Sequence, residues 1–396
     1  MEKFDLNKIQ KIISKMNIDG WLLYDFRGSN DVALDILNIP RGSHLTRRFY
    51  YFIPRTGNPI KIVNAIEAFH LDHIPGIRLK YSSHDSLQKH LKSTLKDCKR
   101  IAMEYSPFNA IPYVSKVDAG TLEQIKSCEV EIVSSGDLIS SFAAVWSKEQ
   151  YLDNIPVANA LTDIASGAFN FIKNKILAAE ITSELEVQEY IDHEIQNRNY
   201  ETEPPTIVGV NANSGNPHYG PSEEDFKEIK RGDFVLIDLW AKSQKSDAVW
   251  ADITWTGYVG EIVPDKYIKI FNIVAEARDT AFDLVAKRFK EGIEIKGYEV
   301  DDAARNVIIK AGFGEYFFHR TGHSITTDLH GSGAHMDNYE TRDERLLLPS
   351  TSFSIEPGIY LPEFGVRSEI DVFIKPDGSV IQTGGERQKE VIAILK

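Results

Sequence analysis

Apolar residues recur at helical spacing from the first positions, with Ile9, Ile12, Ile13 and Met16 forming one stripe over residues 1–17. Tight clusters of apolar residues follow. WLLYD (21–25), entered through Gly20, reads as a buried strand, and the runs at 47–54 and 59–65 flank Arg55-Thr56-Gly57-Asn58 as a hairpin would. Residues 101–105 and 130–135 read as further strands, with polar helical stretches between them. This alternation predicts an α/β domain, with its boundary at Trp146-Ser147-Lys148. The expected division is 1–146 and 147–396.

The pattern changes after that point. Val157, Leu161, Ile164, Ala165, Ala168 and Ile172 mark one face of an amphipathic helix, and Ser183-Glu184-Leu185-Glu186 fits a capping box opening a second. Two more helices are predicted at about 265–290 and 298–311. Strands are predicted at 206–210, 233–240, 252–260, 352–360 and 365–375. Paired helices with antiparallel strands make this second region α+β.

Two domains also suit a chain of 396 residues, and 42% hydrophobic with 26% charged residues is an ordinary globular composition. No apolar run approaches the roughly 20 residues of a membrane span, and the N-terminal stretch does not read as a signal peptide. Cys98 and Cys128 lack metal-ligand spacing and suit a reducing compartment, so the expected location is cytoplasmic and no membrane partner is expected. A net charge of −13 argues against nucleic acid as a partner.

Five residues change the picture. Asp238 (FVLIDLW), Asp252 (WADIT), His323 (RTGHSIT), Glu356 (FSIEPG) and Glu369 (GVRSEID) are metal-ligand candidates, the four acids in predicted strands and His323 in a loop context. Asp238 interrupts an apolar run, where an unpartnered charge would be prohibitive. Four carboxylates and one imidazole would balance two divalent cations, with Mn²⁺ expected first and Co²⁺, Zn²⁺ or Fe²⁺ fitting the same donors. Such a pair can activate one water and polarise a carbonyl, which predicts a dinuclear metallohydrolase.

The segments around these residues carry a resemblance. GHSI with a second histidine at His330, then IEPG, then GVRSE, resembles the pita-bread metallopeptidases, in particular the two-domain branch of aminopeptidase P and prolidase. The resemblance implies a pita-bread catalytic domain following a smaller creatinase-like α/β domain. It also implies that Asp238 chelates one metal, that Asp252 and Glu369 bridge both, and that His323 and Glu356 hold the second.

Glu356 would shuttle the proton, His330 would stabilise the oxyanion, and His218 would contact substrate near the attacked carbonyl. His319 would line the site. Arg367 would orient a substrate group or, alternatively, pair with a site carboxylate. The implied reaction is hydrolysis of an Xaa-Pro bond by a metal-bridging hydroxide, on a peptide with proline in second position, in a homodimer. Aminopeptidase and dipeptidase both stay open, as do a small non-peptide substrate and a non-catalytic scaffold.

The sequence departs from the pattern at Trp240 and Trp255, either of which could narrow the cleft. It also departs at Thr326 and Gly331, and in an insertion within 241–249 between the two aspartates.

Overall fold

The structure, a computed structural model, describes residues 4–203 and 205–396. It divides into two compact units, Met1–Phe142 and Ala143–Lys396.

The first unit is built on six strands: β1 (Gly20–Asp25), β2 (Phe49–Pro54), β3 (Ile60–Asn64), β4 (Ile77–Tyr81), β5 (Arg100–Met103) and β6 (Glu131–Ser134), in the order β4-β3-β2-β1-β5-β6. The meander β1-β2-β3 is antiparallel, turning at Arg55–Asn58, while β4, β5 and β6 join in parallel. Strand alternation sends Trp21, Leu23, Tyr51 and Ile53 to one face, against α1 (Leu6–Lys15), α2 (Asp31–Ile36) and α5 (Gly136–Ala143). Leu22, Tyr24, Tyr50 and Phe52 go to the other, against α3 (His84–Leu95) and α4 (Ala119–Lys126).

The sequence pattern predicts no strand over the stretch that holds β4. The strand lies at the sheet edge with Ile77, Arg78 and Lys80 exposed, so no buried run betrays it. The six-residue α2 is too short for periodicity to reveal.

The second unit opens with α6 (Lys148–Leu177), capped reciprocally by Ser147 and Gln150, and α7 (Glu184–Asn197). Both pack on a sheet ordered β17-β10-β9-β7, with β8 also paired to β9. Its strands are β7 (Tyr200–Glu201), β8 (Ile207–Val210), β9 (Phe234–Ser243), β10 (Ala251–Tyr258) and β17 (Ile392–Ala393). A second helix pair, α8 (Asp265–Glu291) and α9 (Gly297–Lys310), shares a core with a second set of strands. These are β11 (Ser324–Ile325), β12 (Ser352–Ile355), β15 (Ile370–Ile374) and β16 (Val380–Gln382) in one sheet, and the hairpin β13 (Gly358–Tyr360) with β14 (Gly365–Arg367).

The strands expected at 352–360 and 365–375 are each broken in two. The breaks fall at Glu356-Pro357 and Ser368-Glu369. A carboxylate meant for a shared centre leaves its ladder at both places.

Candidate metal centre

The β9–β10 register fixes the first two carboxylates. Asp238 lies opposite Thr254 and Asp252 opposite Trp240, so all four side chains emerge on one face. The other face carries Ile237, Leu239, Ala251 and Ile253 into the core under α6 and α7. Trp255 belongs to that buried side, opposite Ile237, and does not narrow the cleft; strand alternation turns it away. The residues inserted between the aspartates lengthen the hairpin beyond them, and Val249 and Trp250 fold back to pack with Trp240.

The remaining donors arrive from the second sheet. Asp301 of α9 accepts Thr321 N at 2.9 Å and Thr321 Oγ1 at 2.7 Å, holding the RTGHS segment in place. Within it, a Cβ on Gly322 would stand 2.0 Å from Ser354 O, so only glycine lets this backbone press against β12. His323 N then donates to Ser354 Oγ at 3.0 Å, and that hydroxyl donates to Glu356 Oε1 at 3.0 Å. Gly365 is forced by a similar approach, its Cβ position lying 2.1 Å from Ser214 O.

His323 Nε2 comes 3.3 Å from Glu356 and 3.7 Å from Asp252. One donor atom each from Asp252, His323 and Glu369 lie within 4.8 Å of one another, and all three residues are buried. Thr254 Oγ1 lies 2.9 Å from Asp238 and 2.7 Å from Glu369, so its single proton is contested by two carboxylates. Asp252 Oδ1 and Glu369 Oε1 are buried without any hydrogen-bond partner.

Burial, then the charges of Asp238 and Glu356, pushes the Asp252 carboxyl well above its ordinary range. Burial, followed by Asp252, does the same to Glu369. Asp238 is raised by burial despite the opposing pull of Arg367. Burial also works against ionised Glu356, but His323, Arg367 and His319 outweigh it and hold that carboxyl below its usual value. Buried carboxylate oxygens without donors, packed together and facing an imidazole, are chemically suited to divalent cations.

The other predicted residues fall in two places. His218 and His330 line the same cavity as the carboxylates, about 540 Å³ in volume, together with Trp240, Ile207, Leu329 and Arg367. His330 stands edge-on to His323 with ring centres 4.4 Å apart. Though open to solvent along one edge, it is pulled down to about 4 by desolvation, then by His323 and Arg320.

Arg367 is buried and pairs with Asp238, while its Nε donates to Thr254 Oγ1 at 2.9 Å. His319 is not among the residues lining this cavity; its Nε2 lies 2.7 Å from Tyr360 Oη and its Nδ1 2.7 Å from Arg320 O.

Two further carboxylates take part without any motif to announce them. Asp371 Oδ2 accepts Asp252 N at 2.8 Å, and its other oxygen is buried and unpartnered. Its only signal is its place two residues after Glu369. Glu184, expected merely to open a helix, is fully buried and accepts Val210 N (2.7 Å), Tyr219 Oη (2.6 Å) and Lys227 N (2.7 Å). It thereby anchors the loop that carries His218. Ser183 still caps α7, but Glu186 turns away to meet Lys175 at 2.8 Å instead of completing the capping box.

Residues 155–376, more than half of the chain, match the model of metallopeptidase family M24, and the chain belongs to that family. Its pita-bread fold class follows, as the sequence motifs implied. The chain is 31% identical over 261 residues to an Xaa-Pro dipeptidase of Lactobacillus helveticus, covering 65% of each chain. It is 38% identical over 184 residues to an Xaa-Pro dipeptidase of Pyrococcus horikoshii, covering 46% of this chain and 48% of that one. The matched stretch thus spans about half to just under two thirds of these relatives.

Across 98% of both chains, the fold is similar to a prolidase structure from Thermococcus sibiricus (TM-score 0.56, 24% identity). An X-Pro aminopeptidase structure from Thermotoga maritima is similar over 97% of this chain and 100% of that one (TM-score 0.53, 24% identity). No helix among the described residues is long and apolar enough to cross a membrane.

Proposed function

We propose that this protein is a dinuclear metal-dependent peptidase that hydrolyses Xaa-Pro bonds, with Xaa-Pro dipeptides as its first substrates. The observation that carries the reading is the group of Asp252, His323 and Glu369, buried together with Asp238 and flanked by the half-buried Glu356, in which Asp252 Oδ1 and Glu369 Oε1 have no hydrogen-bond partner. The dipeptide preference is supported by the two Xaa-Pro dipeptidases to which the chain is similar. A homodimer belongs to the same reading.

Asp238, Asp252, His323, Glu356 and Glu369 would hold the cations, with Mn²⁺ the first candidate. Bound there, two divalent ions supply Lewis acidity toward a peptide carbonyl and acidify a water.

The chain's own residues do the rest. Glu356, kept ionised by its positive surroundings, takes the proton of the attacking water and returns it to the departing nitrogen. His330, pulled down to about 4 by desolvation, is neutral at physiological pH and lines the cavity, and its N–H would donate to the carbonyl oxygen as that oxygen gains charge. His218 meets the substrate from the opposing loop. Arg367, fixed between Asp238 and Thr254, holds Asp238 in orientation.

The test offers Ala-Pro and Ala-Pro-Ala to protein stripped with a chelator and then given Mn²⁺, Co²⁺ or Zn²⁺. Products are read by mass spectrometry and bound metal by elemental analysis. Metal-dependent cleavage of Ala-Pro, with two ions per chain, is expected. Two bound ions without cleavage of either peptide would refute the peptidase assignment.

A further inference from the structure

Trp240 occupies a corner of the centre that the reaction outlined above does not use. On the face of the β9–β10 ladder turned away from α6 and α7, Asp238, Thr254, Asp252 and Trp240 form a square. The Thr254 corner is filled by polar contacts to Asp238, Glu369 and Arg367. The Trp240 corner carries the broad face of an indole. The indole lines the cavity beside the carboxylates, only 6% exposed, and is packed in a cluster with Trp146, Trp250, Val249 and Phe373. Trp146 Nε1 donates to Ile325 O at 2.8 Å and Trp250 Nε1 to Thr327 O at 3.0 Å, so the rings supporting Trp240 are themselves tied to the strand and loop beside His323.

Ile207, opposite Asp238 on β8, and Leu329 extend this wall within the same cavity. A rigid aromatic and aliphatic wall next to buried carboxylates is chemically asymmetric. One side of any bound group meets charge, and the other meets a surface that only an apolar group can cover without losing hydration.

We infer that Trp240 is a specificity-determining residue. With Ile207 and Leu329 it receives the apolar ring or side chain of a substrate residue adjoining the scissile bond, so that peptides with proline or an aromatic residue there are favoured over those with a polar one. The inference rests on the peptidase reading and adds to it the chemical class of the neighbouring residue. It also gives a place in the chain for the selectivity, on a strand face and not in a mobile loop.

The experiment has two arms, both on the Mn²⁺-loaded full chain. In the first, kcat/KM is measured for Ala-Pro, Phe-Pro, Ser-Pro and Ala-Ser, using wild type, W240F and W240A. Varying each position separately shows which side of the bond meets the indole. Removing an aromatic partner from an apolar subsite is expected to reduce the apolar-to-polar ratio at one position about tenfold in W240A, whereas W240F retains most of it. Bound metal and melting temperature, expected to stay close to wild type in W240F, separate a changed wall from a collapsed site. An unchanged ratio in W240A would overturn the inference.

The second arm needs no turnover. L-Proline and L-phenylalanine are titrated into wild type and W240F while tryptophan emission is followed. Quenching in wild type that is lost in W240F supports the placement; identical titrations in both overturn it. If the second arm succeeds while no peptide is cut, the failure belongs to the peptidase reading alone.

Discussion

Replacing Asp252 by asparagine should stabilise the metal-free protein and destabilise the loaded one. In the absence of metal, Asp252 is buried, its Oδ1 has no donor, and its neighbours include Asp238, Glu356 and Glu369. The carboxylates contribute four negative charges when ionised, and Arg367 and Thr254 serve mainly Asp238 and Glu369. Relieving one unsatisfied buried group is worth roughly 1–3 kcal/mol. The loaded protein reverses the balance: a ligand at 100 times its dissociation constant stabilises by about 2.7 kcal/mol per site. For a unit of this size that is a rise of roughly 5–10 °C in melting temperature.

The assay is a pair of thermal melts, one in chelator and one in saturating Mn²⁺, for wild type and D252N. The expected outcome is a crossing. D252N melts a few degrees above wild type in chelator, and wild type melts above D252N in Mn²⁺ because the variant has lost most of its metal response. A structural role for Asp252 would lower the melting point in both conditions and leave the Mn²⁺ shift intact. That result would remove Asp252 from the centre.

Further outcomes follow from other sites. His330→Ala should leave the bound metal unchanged and lower kcat about 10²- to 10³-fold, the usual loss for one oxyanion donor; unchanged kinetics would return His330 to a surface role. In the first unit, Glu104 is fully buried under Trp21 Nε1 (2.7 Å), Asn30 Nδ2 (2.9 Å) and Ser135 Oγ (3.1 Å), and burial pushes its carboxyl up to about 7. The folded state therefore holds this proton more tightly than the unfolded one. Its contribution is complete below the unfolded value near 4.3 and is lost as pH rises through about 7, roughly 4 kcal/mol in all. Denaturant-derived stability should fall from pH 5 to 8 more steeply in wild type than in Glu104→Gln; parallel curves would contradict the burial argument.

Elements with long, regular periodicity were legible from the sequence. The stripe of α6, the strands of the Asp238–Asp252 hairpin and the capping role of Ser183 all reappear where their residues predict. Of the candidate donors, Asp238 stood out because a charge inside an apolar strand demands a partner, while the other four were legible from the joint pattern of the WADIT, GHSI, IEPG and GVRSE motifs.

What escaped depends on contacts made across the chain. Asp371 looks like any strand acid until Asp252 N is found donating to it from the other sheet. Glu184 sits where a helix ordinarily favours an acid for its dipole, which hides its function as a clasp for the His218 loop. The pairing of Arg367 with Asp238, 129 positions apart, could be offered only as one of two alternatives. Trp255 and Trp240 read alike as bulky departures, and only the strand register separates them.

The donors are divided between two sheets, each with its own core and its own pair of helices. Without cations, the line between the sheets is a seam lined with crowded acids; with them, it would become a rivet joint. Amide protons of β10 and β15 should therefore exchange in separate, low-energy openings in chelator, and in one cooperative opening once Mn²⁺ is bound. The candidate centre would then be a fastener of the fold as well as the proposed site of peptide cleavage.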